Sequence, residues 1–148
     1  MHNLPIFDSQ NIGDNNVFDP SQSMYIEASA GTGKTYTIQQ IVARMIHDGT
    51  QLNQILLVTY TEKAAGELKD RIRLKIQEVI EHKHLIKDVG APLSPEKLAY
   101  FQTALRELDS AQIFTIHSFC QKTLKTYAYD AWRPFDMQLV DDALVKNI

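Results

Sequence analysis

Residues 28–35 read Ala-Ser-Ala-Gly-Thr-Gly-Lys-Thr. They follow a short apolar run at residues 24–27, which predicts a strand, and they precede a stretch with helical periodicity. A strand, a glycine-rich loop and a helix in this order are typical of a phosphate-binding loop, which turns several backbone N–H groups toward one point. We therefore predict that a nucleotide is bound by Ala28, Ser29, Ala30, Gly31, Thr32, Gly33, Lys34 and Thr35.

Two side chains of this loop carry its chemistry and are the catalytic candidates. Lys34 supplies positive charge to the β- and γ-phosphates, and the Thr35 hydroxyl is a ligand for the magnesium ion that accompanies the nucleotide. The match to the pattern G-x-x-x-x-G-K-[ST] is complete except that Ala28 replaces the first glycine. A glycine-rich turn with an accidental lysine is the alternative, and the flanking strand and helix patterns argue against it.

Composition limits the classes of protein to consider. The 148 residues suffice for one domain or for a piece of a larger one, and 44% of them are hydrophobic. The net charge of −3 provides no general basic field, so contacts with nucleic acid must come from local groups. Cys120 is the single cysteine, which excludes an internal disulfide, and we expect it to be buried. Without an export signal or a membrane-spanning run, we expect a cytoplasmic protein with no membrane partner.

Beyond the loop, helical and strand patterns alternate, which predicts an α/β fold with a parallel sheet. Gly49 should end the first helix, and Ser94 should cap the third. The charges of the second helix, Lys75 among them, are expected on a solvated face. The predicted elements are a helix through 38–46, a strand at 54–60 buried on both faces, a helix from 62 through 79, a helix at 95–108, a strand at 111–116 and a helix at 118–129.

Two polar segments follow the strands predicted at 54–60 and 111–116. Because the carboxyl ends of parallel strands meet at one edge of a sheet, both segments should lie where ligands bind in such folds. Their hydroxyl and N–H groups can hold phosphate oxygens, and Tyr60 and His117 offer flat faces for bases. Tyr60 could equally pack on the core, and His117 and Ser118 could merely cap a helix. The segments read Thr59-Tyr60-Thr61-Glu62-Lys63-Ala64-Ala65 and Thr115-Ile116-His117-Ser118-Phe119-Cys120.

At these residues the chain resembles the superfamily 1 DNA helicases of the UvrD/Rep group, and within that group the beta (RecB) subunits of exodeoxyribonuclease V. Three segments carry the resemblance, in the same order along the chain. Residues 26–35 are similar to the family's nucleotide loop, including alanine at its first position. Residues 58–65 match motif Ia, with Tyr60 where phenylalanine is usual, and residues 114–121 match the next motif that contacts single-stranded DNA.

The resemblance implies an ATP-driven translocase with a RecA-like P-loop NTPase fold, a parallel sheet flanked by helices. Residues 1–17 would be a polar arm, residues 18–130 the first part of ATP-binding domain 1A, and residues 131–148 the start of a 1B-like insertion. The partners would be DNA ends and other exodeoxyribonuclease V subunits, in double-strand break repair and recombination. Lys34 and Thr35 would hold ATP and Mg²⁺, and single-stranded DNA would contact Thr59, Tyr60, Thr61, Lys63, Thr115 and His117.

Hydrolysis also needs a carboxylate pair for the magnesium ion and the attacking water. Asp141 and Asp142 imitate such a pair, but the family has similar acids early in its 1B insertion, and we expect a surface turn. We therefore expect an incomplete RecA-like domain that binds nucleotide weakly and does not hydrolyse it alone. Two other interpretations stay open: a small phosphate-loop kinase, which the scattered arginines disfavour, and a non-catalytic nucleotide- or partner-binding module from a truncated gene.

Overall fold

The computed structural model describes residue 23, residues 33–85 and residues 92–127. The predictions for the arm at 1–17, the strand at 24–27, the loop residues 28–32 and the insertion at 131–148, including Asp141 and Asp142, lie outside these residues. The elements are α1 (Lys34–His47), β1 (Leu56–Thr59), α2 (Glu62–His82), α3 (Pro95–Arg106), β2 (Gln112–Thr115) and α4 (Ile116–Thr126), with 3-10 turns at Leu52–Gln54 and Leu108–Ser110.

Capping hydroxyls and a glycine with positive φ mark the ends of several helices. Gly49, two residues after the end of α1, has a φ of 95°, which confirms the predicted stop. The Ser94 hydroxyl accepts a hydrogen bond of 3.3 Å from the Lys97 backbone N–H, which confirms the predicted cap of α3. Helix α4 begins two residues earlier than predicted because Thr115 is its cap, accepting a bond of 3.1 Å from the Ser118 N–H.

The two strands form a parallel pair, as the alternation of helices and strands predicts. Side chains alternate between the faces of the sheet, and Leu57 and Ile113 lie on the face that packs against the helical core. Phe114 lies on the other face, where its ring centroid is 6.5 Å from that of Phe119 in α4. Helix α4 therefore covers the face opposite the core. The paired positions are Leu56–Gln112, Leu57–Ile113, Val58–Phe114 and Thr59–Thr115.

The hydrophobic core lies mainly between α1, α2 and α3. Val79 and Phe101 are completely buried, and the helical spacing predicted for α2 is confirmed by its row of buried aliphatic side chains. This core fixes α2, which begins three residues after the end of β1. Its buried members are Val42, Ala43, Ile46, Leu52, Ile55, Leu68, Ile72, Ile76, Val79, Phe101, Ala104 and Leu108.

Lys75 is a correction to the sequence prediction, because it is only 5% exposed. It follows Ile72 by three residues and precedes Val79 by four, so it belongs to the buried stripe of α2. Its aliphatic stem packs along the core, while its Nζ donates a hydrogen bond of 3.3 Å to Glu78 Oε2.

Two further predictions about burial are wrong. Cys120 is exposed rather than buried, since α4 contributes no buried side chain within the described residues. The strand β1 is covered on one face rather than on both, because Leu56 and Val58 are each 44% exposed. On the face of the sheet that carries Leu56 and Val58, α4 packs over Phe114 of the neighbouring strand.

Candidate functional site

Helix α1 begins directly behind a glycine in the left-handed conformation. Gly33 has φ 91° and ψ 16°, which glycine adopts far more readily than any other residue. Its carbonyl oxygen accepts hydrogen bonds from the backbone N–H and the hydroxyl of Thr37, at 2.8 and 3.2 Å. Since Thr37 is buried, the end of the glycine-rich loop is anchored to the first turns of α1.

The first turn of α1 carries the two side chains predicted to act on phosphate and magnesium. Lys34 is exposed and Thr35 is partly buried. This turn contains no acidic residue, so no carboxylate of its own neutralises the positive end of the helix dipole. These features fit a bound anion and its accompanying cation, while the positions of Ala28 to Thr32 lie outside the described residues.

The two segments predicted to contact DNA lie side by side. Thr59 and Thr115 are partners in the register of the parallel pair, and the segments that follow the two strands leave the sheet at the same end. Helices α2 and α4 begin immediately afterwards. We call residues 59–63 and 115–118 the carboxyl edge.

Hydroxyl groups shape the first segment of the carboxyl edge. Thr59 Oγ1 donates a hydrogen bond of 3.1 Å to the Thr61 carbonyl, and Thr61 Oγ1 accepts one of 3.1 Å from the Ala64 N–H. Between them, Tyr60 is 81% exposed. The alternative that Tyr60 packs on the core is therefore wrong.

The other predicted contacts differ in accessibility. The Lys63 side chain is 86% exposed, with its Nζ 3.9 Å from Glu67 Oε1. His117 is exposed in the first turn of α4, and it does not supply the helix cap. Thr115 is 4% exposed, because its hydroxyl caps α4 and its side chain faces the start of α2. Its position suits a structural role better than direct contact with a ligand.

Glu62 is the residue of this edge that sequence reasoning missed. Its Oε1 accepts hydrogen bonds from the hydroxyls of Ser118 at 2.7 Å and Thr115 at 2.9 Å. The Ser118 hydroxyl, followed by that of Thr115, holds the pKa of Glu62 below its ordinary value of 4.5. The only local signal was an acidic residue directly after the cap of a predicted helix, and nothing local identified its partners.

Other parts of the described chain bring together none of the predicted site residues. A cavity of about 220 Å³ lies between the α1–β1 connection and α3, lined by residues such as Gly49, Tyr100 and Glu107. Within residues 33–85 and 92–127, no three His, Cys, Asp or Glu side chains are grouped as metal ligands. No helix in this part of the chain has the length and hydropathy of a membrane span.

The sequence-family model described as the UvrD/REP helicase N-terminal domain matches residues 10–147 of this chain. The chain belongs to the UvrD/REP helicase family. Membership agrees with the α/β architecture of the described residues. It also removes the kinase interpretation.

Relatives of this UvrD/REP family member are long proteins. The RecBCD enzyme subunit RecB of Chlamydia trachomatis is 38% identical over 128 residues, which cover 75% of this chain and 12% of that protein. RecB of Escherichia coli is 32% identical over 137 residues, covering 79% and 11%. An ATP-dependent helicase/nuclease subunit of Enterococcus faecalis is 32% identical over 113 residues, covering 76% and 8%. The chain thus spans 8% to 12% of the length of these relatives.

Proposed function

We propose that this chain is the ATP-binding part of an ATP-dependent DNA helicase of the RecB type, acting in double-strand break repair and recombination. One observation carries the proposal: the two segments predicted to contact single-stranded DNA lie at the ends of neighbouring parallel strands, and helix α1 of the same chain begins at a glycine-lysine-threonine sequence. The similarity to RecB and to helicase/nuclease subunits supports the choice of DNA as the polymer. The other subunits of such an enzyme would be its protein partners.

The nucleotide would bind at residues 28–35. In this proposal the backbone N–H groups of the loop and the amino end of α1 surround the phosphates, and Lys34 neutralises the β- and γ-phosphate charge. The left-handed Gly33 and the absence of an acid in the first turn of α1 support an anion at this position. The Thr35 hydroxyl would be the chain's ligand to Mg²⁺, which neutralises charge developing on the transferred phosphate.

Single-stranded DNA would lie across the carboxyl edge. Tyr60 has the exposure needed for a base to stack on its ring, and His117 is exposed on the adjacent segment. Lys63 can approach the phosphates, and the Thr59–Thr61 turn offers backbone and hydroxyl groups to them. Thr115 would contribute mainly by fixing the start of α4, since its side chain is buried.

The coupling between the two ligands would follow from their placement. In α/β folds the phosphate loop and the ends of neighbouring strands share one edge of the sheet. A change in the nucleotide can therefore alter the grip on DNA at the carboxyl edge, and movement along the strand requires only that this affinity differ between nucleotide states.

The decisive experiment measures ATP hydrolysis by the complete gene product, with and without a single-stranded oligonucleotide. We expect hydrolysis that DNA stimulates, and a loss of at least about a hundredfold in Lys34→Ala, because one preorganised charge contact is worth this much. Lys125→Ala, which changes an exposed lysine of α4, is the matched control. Hydrolysis that is indifferent to DNA, or that survives Lys34→Ala, contradicts the proposal.

A second variant separates DNA binding from nucleotide chemistry. Tyr60→Ala should raise the oligonucleotide concentration for half-maximal stimulation by roughly tenfold, since stacking contributes ~1–3 kcal/mol per base. ATP hydrolysis without DNA should be unchanged. Tyr127→Ala removes another exposed tyrosine, 58% accessible at the end of α4, and should behave as wild type. Equal behaviour of the two tyrosine variants would remove Tyr60 from the DNA site.

A further inference from the structure

One carboxylate joins the two segments of the carboxyl edge. Glu62 is the first residue of α2, and its partners Thr115 and Ser118 are 53 and 56 residues further along the chain. The two hydroxyl oxygens are themselves 2.7 Å apart. Three oxygens from two helix starts thus form a closed triangle of short contacts.

The proton inventory shows why a carboxylate suits this position. Each hydroxyl has one proton, whereas the ionised carboxylate has none and only accepts. Thr115 Oγ1 accepts a hydrogen bond from the Ser118 N–H. The hydroxyl proton of Thr115 is donated to Glu62 or to the Ser118 oxygen. In either arrangement the two protons serve the triangle, and the negative charge of Glu62 strengthens the hydrogen bonds that it receives.

Helix α4 contributes less to the hydrophobic core than the other described helices do. Within the described residues α4 contributes no buried side chain, whereas α1, α2 and α3 contribute the main core. Its attachments include its connection to β2, the contact between Phe114 and Phe119, the Lys122 Nζ 4.5 Å from the Phe114 ring centroid, and the Glu62 triangle. The triangle connects α4 by hydrogen bonds to the first segment of the carboxyl edge.

We propose that Glu62 is a positioning residue that fixes the spacing between residues 59–61 and residues 115–118, so that both segments grip one single strand of DNA. This inference rests on the proposed function of the carboxyl edge. A carboxylate near a polyanion would otherwise repel it, but here both hydroxyls and the amino end of α2 offset the charge. Glu62 acts through Thr115 and Ser118 and need not touch DNA.

The test measures binding of a fluorescein-labelled oligothymidylate to the complete gene product by fluorescence anisotropy. Glu62→Ala should raise Kd about tenfold, since it removes the charged acceptor that the Thr115 and Ser118 hydroxyls share and with it the hydrogen-bonded connection between the two segments. Glu62→Gln keeps an acceptor oxygen and should restore Kd to within about threefold of wild type. Glu81→Ala removes an exposed glutamate from the same helix and should leave Kd unchanged.

A double-mutant cycle tests whether Glu62 acts through its partner. Ser118→Ala should weaken binding less than Glu62→Ala, and the double variant should bind no more weakly than Glu62→Ala alone, because both changes remove the same contact. Binding of a fluorescent ATP analogue should be unchanged in every variant, which separates lost positioning from unfolding. Unaltered or tighter DNA binding by Glu62→Ala, or additive effects in the double variant, would overturn the inference.

The outcomes also separate this inference from the proposed function. If the wild-type protein does not bind the oligonucleotide, or if Tyr60→Ala binds it as wild type does, the DNA site itself is wrong. If wild-type and Tyr60→Ala behave as expected and Glu62→Ala binds normally, the DNA site stands and the positioning role of Glu62 is wrong.

Discussion

The amino end of α1 differs in construction from the amino ends of α2 and α4. Helix α1 begins behind Gly33, which has a left-handed backbone and no side chain to cap the helix. Helices α2 and α4 begin behind Thr61 and Thr115, which are extended and accept hydrogen bonds from the N–H groups of Ala64 and Ser118. In α2 and α4 a threonine hydroxyl thus accepts from a backbone N–H of the first turn, whereas α1 begins behind a glycine that has no side chain to do so.

This difference indicates two kinds of role. A helix start without a side-chain cap suits an external anion, because ligand oxygens can accept from its N–H groups. A start capped by threonine has a defined geometry and suits the fixing of a surface. The first description fits the proposed nucleotide site, and the second fits the carboxyl edge.

Among the changes that test this comparison of helix starts, Gly33→Ala should have the largest effect. A side chain at φ 91° costs ~1–3 kcal/mol in the free energy of unfolding, and relief of that strain would distort the phosphate loop. We expect affinity for a fluorescent ATP analogue to fall by about tenfold or more. Fluorescence titration and urea denaturation measure the two effects.

Gly66→Ala is the matched control for that change. Gly66 lies inside α2, and a Cβ added there meets no atom within 4 Å. Because alanine has the higher helix propensity, this variant should gain ~0.5–1 kcal/mol in the free energy of unfolding and bind the analogue normally. If both alanine variants behaved alike, the special conformation of Gly33 would have no functional meaning.

A smaller difference, in the free energy of unfolding, is expected between variants of the two threonine caps, Thr61 and Thr115. Thr61→Ala removes an exposed cap of α2 and should lower the free energy of unfolding by ~1 kcal/mol. Thr115→Ala removes a cap, a buried hydroxyl and a hydrogen-bond donor to Glu62, so we expect a loss of ~2 kcal/mol. Urea denaturation followed by circular dichroism gives both values. Equal losses would mean that the Glu62 triangle adds nothing to the cap.

The sequence was sufficient to predict the features that depend on near neighbours. Apolar spacing located α1 and α2, whereas α3 was located by Ser94 and Pro95, because a hydroxyl cap before a proline-led helix acts locally. The parallel pair followed from the alternation of strands and helices. That alternation also led to the expectation that both polar segments lie at one edge of the sheet, and the register shows in addition that they are neighbours there.

The errors came from contacts that charge alone does not reveal. Lys75 was assigned to solvent because of its charge, although its three- and four-residue spacing from Ile72 and Val79 placed it on the buried stripe. Cys120 was expected in the core because of its residue type, but burial depends on what covers α4. Glu62 could not be linked to Ser118 because 56 residues separate them and only the register of the strands brings them together.

The smallest effect is a difference in how two carboxyl groups respond to salt. Hydrogen bonds from Ser118 and Thr115 lower the pKa of Glu62 from 4.5, and the hydrogen bond and charge of Lys69, with the charge of Arg73, lower the pKa of Asp109 from 3.8. At about 1 M salt the Debye length is ~3 Å, so exposed charge pairs are screened, whereas hydrogen bonds from neutral hydroxyls persist. The pKa of Asp109 should therefore rise toward its ordinary value with salt, while that of Glu62 stays low.

Carboxyl carbon NMR titrations of wild type and Ser118→Ala provide the measurement. A folded-state pKa below the unfolded one means that stability from Glu62 is fully present above pH 4.5 and is lost as the pH falls through the folded value. Ser118→Ala removes the stronger donor, so the pKa of Glu62 should move back toward 4.5 while that of Asp109 is unchanged. If salt alone raised the pKa of Glu62 as far as that of Asp109, distant charges would be lowering it, and the carboxyl edge would lack the local hydrogen-bonded connection that distinguishes it from the start of α1.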